Sequence, residues 1–106
     1  MSNIFKKMAE MQKQMASVQE MVGRITATSE AGGGMIKVTA TGSQRIVKIE
    51  LDPDIVDPED IEMLQDLIIA GVNKALEEAG EAAQNELRDQ AGNFLPKNMD
   101  LSKFGL

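Results

Sequence analysis

The feature that most constrains this chain is Gly32-Gly33-Gly34, set between two strand-patterned runs, Arg24-Ile25-Thr26-Ala27-Thr28-Ser29-Glu30 and Met35-Ile36-Lys37-Val38-Thr39-Ala40. Three consecutive residues without a Cβ let the backbone take positive φ at no steric cost, so adjacent strands can reverse and pair antiparallel. Helix-patterned segments lie on either side of this hairpin. A small sheet between two helices is therefore the expected architecture, and any chemistry must be carried by the elements around it.

The second strand continues to Thr41, and Gly42-Ser43 reads as a Gly-first two-residue II′ turn into a third strand that ends at Leu51. Alternation sends Ile36, Val38 and Ala40, with Val47, Ile49 and Leu51, to a dry face, and Lys37, Thr39, Thr41, Lys48 and Glu50 to a wet one. Helices are expected to cover the dry face. Asp57-Pro58-Glu59-Asp60 reads as a helix start, with Asp57 as N-cap, Pro58 at the first helical position and acids in the first turn. The pattern Ile61, Leu64, Ile68, Val72, Ala75, Ala79, Ala82 carries that helix to about Ala91. Its apolar residues shrink to a row of alanines, which suits either a close helix approach or a solvated helix surface.

In the first helix, Ile4, Met8, Met11, Met15, Val18, Val22 and Ile25 recur in alternating steps of four and three, a heptad seam. About three heptads are too few for a stable free helix, so the stripe needs cover from its own sheet or from a second copy. Methionine makes that surface adaptable. The pattern predicts an α+β protomer of α-β-β-β-α order, a three-stranded antiparallel sheet flanked by two long helices. The expected helices span about 3–22 and 58–91, the strands about 24–30, 35–41 and 45–51. A single domain covers 1–92, and residues 93–106, with Gly, Pro and apolar residues lacking a period, are expected as a flexible C-terminal tail.

The chain of 106 residues has neither cysteine nor histidine. That removes thiolate and imidazole ligands, thiol nucleophiles and the usual neutral-pH general base, so no enzyme, cofactor, metal or small-molecule substrate is expected. Gly32-Gly33-Gly34 is no phosphate cradle, because no helix follows it and Gly-Lys-Ser/Thr is missing. Read from Asp52 as a calcium loop, the acidic cluster has Asp57 where Gly is needed and Met63 where Glu is needed. The longest apolar run, Leu67 to Val72, is far short of a bilayer span, and the N-terminus leads into a charged helix pattern with no apolar signal core. A cytoplasmic protein with no membrane partner is the expectation.

The run Glu30 to Thr39, the run Ile49 to Ile68, Ala70-Gly71-Val72-Asn73-Lys74-Ala75 and the Met- and Gln-rich first helix together resemble the YbaB/EbfC family of bacterial nucleoid-associated proteins. The resemblance covers nearly the whole chain. It implies a homodimer with projecting helices that binds double-stranded DNA and lies on the bacterial nucleoid.

A formal net charge of −6 must be squared with that implication. Residues 1–23 carry Lys6, Lys7 and Lys13 against Glu10 and Glu20, a net of +1; residues 24–51 carry four bases and two acids, a net of +2; the remainder has four bases and thirteen acids, a net of −9. The acid is thus concentrated in the second helix and its entry. Lys6, Lys7, Lys13 and Arg24 are the expected phosphate contacts, with Lys37, Arg45 and Lys48 as a second patch and Met8, Met11, Met15, Val18 and Val22 as the dimer seam. Without a base-stacking platform or recognition helix, weak sequence preference and phosphate-dominated clamping by a homodimer are expected. The alternative is a dimeric protein–protein adaptor whose acidic surface and Met seam recruit partners, with DNA contact incidental.

Overall fold

The computed structural model describes residues 2–94. Along them run α1 (Ser2–Arg24), β1 (Thr26–Ala31), β2 (Ile36–Thr41), β3 (Ile46–Leu51), a 3-10 turn (Pro53–Ile55) and α2 (Ile61–Phe94). This is the expected α-β-β-β-α order, with an antiparallel sheet in the order β1-β2-β3. The glycine hairpin forms as its composition requires: Gly32, Gly33 and Gly34 take φ of 62°, 67° and 92°, and the Met35 N–H donates to the Gly32 carbonyl at 3.3 Å. The register runs from Thr26 opposite Thr41 to Ala31 opposite Ile36.

The second hairpin differs from expectation. The Gln44 N–H donates to the Thr41 carbonyl at 3.0 Å, the Thr41 N–H donates to the Arg45 carbonyl at 2.8 Å, and the positive φ of 68° falls on Gln44. The loop is therefore three residues, a turn followed by a left-handed position, and not the two-residue II′ type. Glycine serves at position 42 for space, since a Cβ there would lie 2.5 Å from the Val22 carbonyl oxygen, where the last turn of α1 leans on the loop. Thr41, expected on the wet face, is buried and its hydroxyl shares a 2.8 Å hydrogen bond with that of Ser43.

The core is small. Ile36, Val38 and Ala40 are fully buried against Ala75 and Ala79 of α2, with Ile55 closing one end. The alanine row is thus the close-approach surface: a Cβ on Gly71 would come within 2.9 Å of Val38 Cγ2. On β1 the facing residues are equally small, Ala27, Ser29 and Ala31, and the buried Ser29 hydroxyl donates to Glu78 Oε2 at 2.6 Å, so no polar group is stranded there.

α2 lies over β1 and β2 and barely touches β3. The expectation that helices cover the whole dry face is corrected accordingly: Ile49 pairs with Val38 and Leu51 with Ile36, yet they are 44% and 39% exposed. A bulge between Thr39 and Ala40 also shifts the register, so that Ile46 stands opposite Ala40 and packs on the core, while Val47, expected inside, is exposed.

The start of α2 is corrected as well. Asp57 Oδ1 accepts the Glu59 N–H at 2.9 Å and the Asp57 carbonyl accepts the Asp60 N–H at 3.0 Å, a separate turn with Pro58 in its second position. Asp60 Oδ1 then accepts the Met63 N–H at 3.2 Å, which makes Asp60 the N-cap in place of Asp57. At the other end, Asn93 and Phe94 of the expected tail belong to α2; its residues 95–106 lie outside the described residues.

Two alanine substitutions on α2 should have opposite signs. Alanine for a helical glycine contributes about 1 kcal/mol from backbone propensity. Gly80→Ala, whose Cβ meets only the Gln44 side-chain amide at 3.2 Å, should raise the unfolding free energy by up to that amount, read as a higher urea midpoint. Gly71→Ala must displace a fully buried Val38, and an overpacking cost of about 1–3 kcal/mol should lower the midpoint at an unchanged m-value.

Candidate nucleic-acid interface

The described chain measures 68 × 31 × 16 Å with a radius of gyration of 19.6 Å, against about 13 Å for a compact domain of this length. α1 contributes to that elongation. Its 23 residues form a rod about 35 Å long, and every side chain from Asn3 to Glu20 is exposed. Only Met21, Val22 and Gly23 are half-buried against the body. The last turns of α2 run beside the second half of α1, where Glu86 faces Glu20 and Arg24, and Gln90 faces Lys13 and Gln14 across a groove floored by Val18 and Met21.

Ion pairing sorts the basic residues. Arg24 hydrogen-bonds Glu20 one turn earlier. Lys37 lies 4.0 Å from Glu30 on the neighbouring strand, and Lys48 lies 2.7 Å from Glu50 on its own strand. The wet face of the sheet therefore carries two lysines and two glutamates that cancel. Glu50's carboxyl is held below its ordinary value by the hydrogen bond and charge of Lys48, and the Lys48 ammonium is raised by the same bond. Among the described residues, Lys6, Lys7, Lys13 and Arg45 have no acidic partner within 4.0 Å. The structure thus brings Lys6, Lys7 and Lys13 together on one projecting helix and separates from them the sheet lysines, which are neutralised in place.

The seam residues divide too. Met8, Met11 and Met15 are 54%, 64% and 62% exposed and Val18 is partly open, whereas Val22 packs against the Gly42 loop. Two features escaped sequence reasoning. The uncovered apolar face of β3 carries no periodic signal distinguishing it from a buried strand, and Arg88, exposed near the end of α2, is an isolated base in an acidic helix.

A sequence model of the YbaB/EbfC DNA-binding family matches residues 1–94. A nucleoid-associated protein of Moorella thermoacetica is 50% identical over 94 residues, covering 89% of this chain and 90% of that one. One from Chlorobium phaeobacteroides is 41% identical over 105 residues, covering 99% and 93%. The crystal structure of an uncharacterized Helicobacter pylori protein shares the fold, with a TM-score of 0.68 at 24% identity over 87% of this chain and 97% of the other.

The Lys48–Glu50 pair sets a pH expectation. A depressed carboxylate keeps its partner until pH falls through its lowered pKa, and a raised ammonium keeps its own until pH rises through the raised value, so the pair persists across the whole neutral range. In a carboxyl-detected NMR titration, Glu50 should titrate below the ordinary 4.5 and return toward it in Lys48→Gln.

Proposed function

The chain belongs to the YbaB/EbfC DNA-binding family, and we propose that it is a nucleoid-associated protein whose homodimer clamps duplex DNA between projecting α1 helices. Binding is by lysine–phosphate contacts, with weak sequence preference and no catalysis, on the chromosome in the cytoplasm. The observation that carries this reading is the standing of Lys6, Lys7 and Lys13. Lys6 and Lys7 lie on the part of the rod clear of the body, Lys13 borders the groove beside Gln90 of α2, and none of the three has an acidic partner among the described residues, while the sheet lysines are occupied. A phosphate backbone arriving at α1 meets ammonium groups that need not first give up a neighbour. The same phosphate at the sheet competes with Glu30 and Glu50.

In place of the α1 seam expected from the sequence, we propose the uncovered flank of the sheet as the dimer surface. Ile49 and Leu51 continue the dry face beyond the reach of α2, and a second copy is the simplest cover for a strand that is apolar on the side facing away from its own helix. This arrangement leaves the N-terminal part of α1 of each protomer free and doubles three lysines to six. Phosphate neutralisation then supplies affinity despite the net negative charge, because the field a duplex meets is local.

Affinity measured by gel shift on unrelated duplexes across a salt series should fall steeply with salt and vary little with sequence. Replacing Lys6, Lys7 and Lys13 together by Gln should weaken binding and flatten the log–log salt slope by up to about 5, six contacts at roughly 0.9 each. Lys37→Gln with Lys48→Gln should change it far less; an unchanged slope in the α1 variant would remove these lysines from the contact. Separately, Ile49→Asp should convert a dimer to a monomer by light scattering while the far-UV spectrum stays native.

A further inference from the structure

We propose that the open seam of α1 is a second self-association surface, through which one homodimer joins another by pairing α1 helices; this rests on the dimer reading above. In heptad terms Met8 and Met15 occupy a, and Ile4, Met11 and Val18 occupy d. Met8, Met11 and Met15 border a shallow hollow that, among the described residues, is walled by α1 alone, with Gln12 and Gln19 at its rim, while Val18 lines the groove shared with Gln90 of α2. The body does not fill the hollow, because α2 runs along the side of α1 that carries Lys13, Gln14 and Met21.

The occupant is read from the flanks. In a coiled coil the e and g positions choose the partner, and charged rows there either demand a complementary helix or repel an identical one. Here the e row is Phe5, Gln12 and Gln19 and the g row Lys7, Gln14 and Met21, with Lys7 as the one charge in those rows. Two copies of α1 meet without opposed like-charge rows, and nothing in the flanks asks for a different helix. Lys6 and Lys13 fall at f, away from the seam, with Lys13 on the side bordering α2 and Lys7 at g flanking the seam, so pairing leaves Lys6 and Lys13 outside the paired surface.

The geometry of assembly follows. About three heptads make a weak pair alone, but a dimer presents two α1 arms, and linked weak contacts gain from effective concentration. Two different self-complementary faces on one chain, the β3 flank and the α1 seam, generate an assembly larger than a dimer. Two dimers joined this way hold two duplex segments side by side.

Sedimentation velocity on the full chain over a wide concentration series, at low and high salt, reads this directly. The expected result is a dimer that doubles its mass as concentration rises, with salt leaving the doubling intact because the seam is apolar. Met8→Gln with Met15→Gln should abolish the doubling and spare the dimer. The proposal is overturned if the wild-type chain never exceeds a dimer, if the doubled species survives in that variant, or if the variant loses the dimer itself. It is equally overturned if doubling appears only after residues 95–106 are removed, which would place the chain's own terminal segment in the seam. Ile49→Asp tests the sheet-flank dimer independently, so failure of that reading is not confused with failure of this one.

Discussion

The contact on which the rest depends is the close seating of α2 on β1 and β2 through residues with almost no side chain. Gly71, Ala75 and Ala79 let the helix axis come down onto Ile36, Val38 and Ala40, and Ala27, Ser29 and Ala31 on β1 are small enough to admit it. Small residues bury little area each, so stability must come from dense contact over a narrow strip. A helix seated that deeply cannot also span a third strand. The open flank of β3 is a consequence of the depth of the contact, not a separate feature.

The same economy explains α1. With α2 seated on β1 and β2, the first helix does not lie along the sheet and is held at its C-terminal end, where Val22 meets the Gly42 loop and the last turns of α2 run beside it. A chain of this size therefore ends up with a narrow rigid body and an arm. Charge is distributed along the same division. The helix that packs and the segment leading into it from Asp52 carry most of the carboxylates, the sheet cancels its charges internally, and the arm keeps three ammonium groups without partners among the described residues. A protein of net charge −6 can present a cationic element because most of its acids are fixed elsewhere in the fold.

How far this was legible in the sequence depends on which physical signal each feature leaves. The glycine hairpin, the strand order and the core face of β2 each follow from backbone freedom or from a period of two, and all three stand. The helix start slipped by three residues because Asp57 and Asp60 are chemically equivalent caps, and only the turn made by Pro58 decides between them. The bulge that exchanges Ile46 for Val47 has no local mark, since both are β-branched and apolar. The basic residues were legible as a set but not as two classes. Glu30 sits seven residues from Lys37 in the chain, and the hairpin register brings them face to face. The same logic hides the uncovered β3 flank, which alternates like a buried strand and is exposed only because α2 is committed elsewhere.

The arm combines two chemistries that would interfere on a flat surface. On a helix, residues seven apart share a face, so a seam stepping by four and three keeps its methionines on one side, while Lys6 and Lys13, seven apart, stay opposite. Moving either lysine by two residues would bring it toward the seam, where pairing would force a cation out of water. Conversely, burying the methionines does nothing to the ammonium groups on the far side, which remain hydrated until a phosphate replaces that water. Spacing alone thus lets one unsupported helix serve apolar contact and polyanion contact at once, and neither needs the body to change shape.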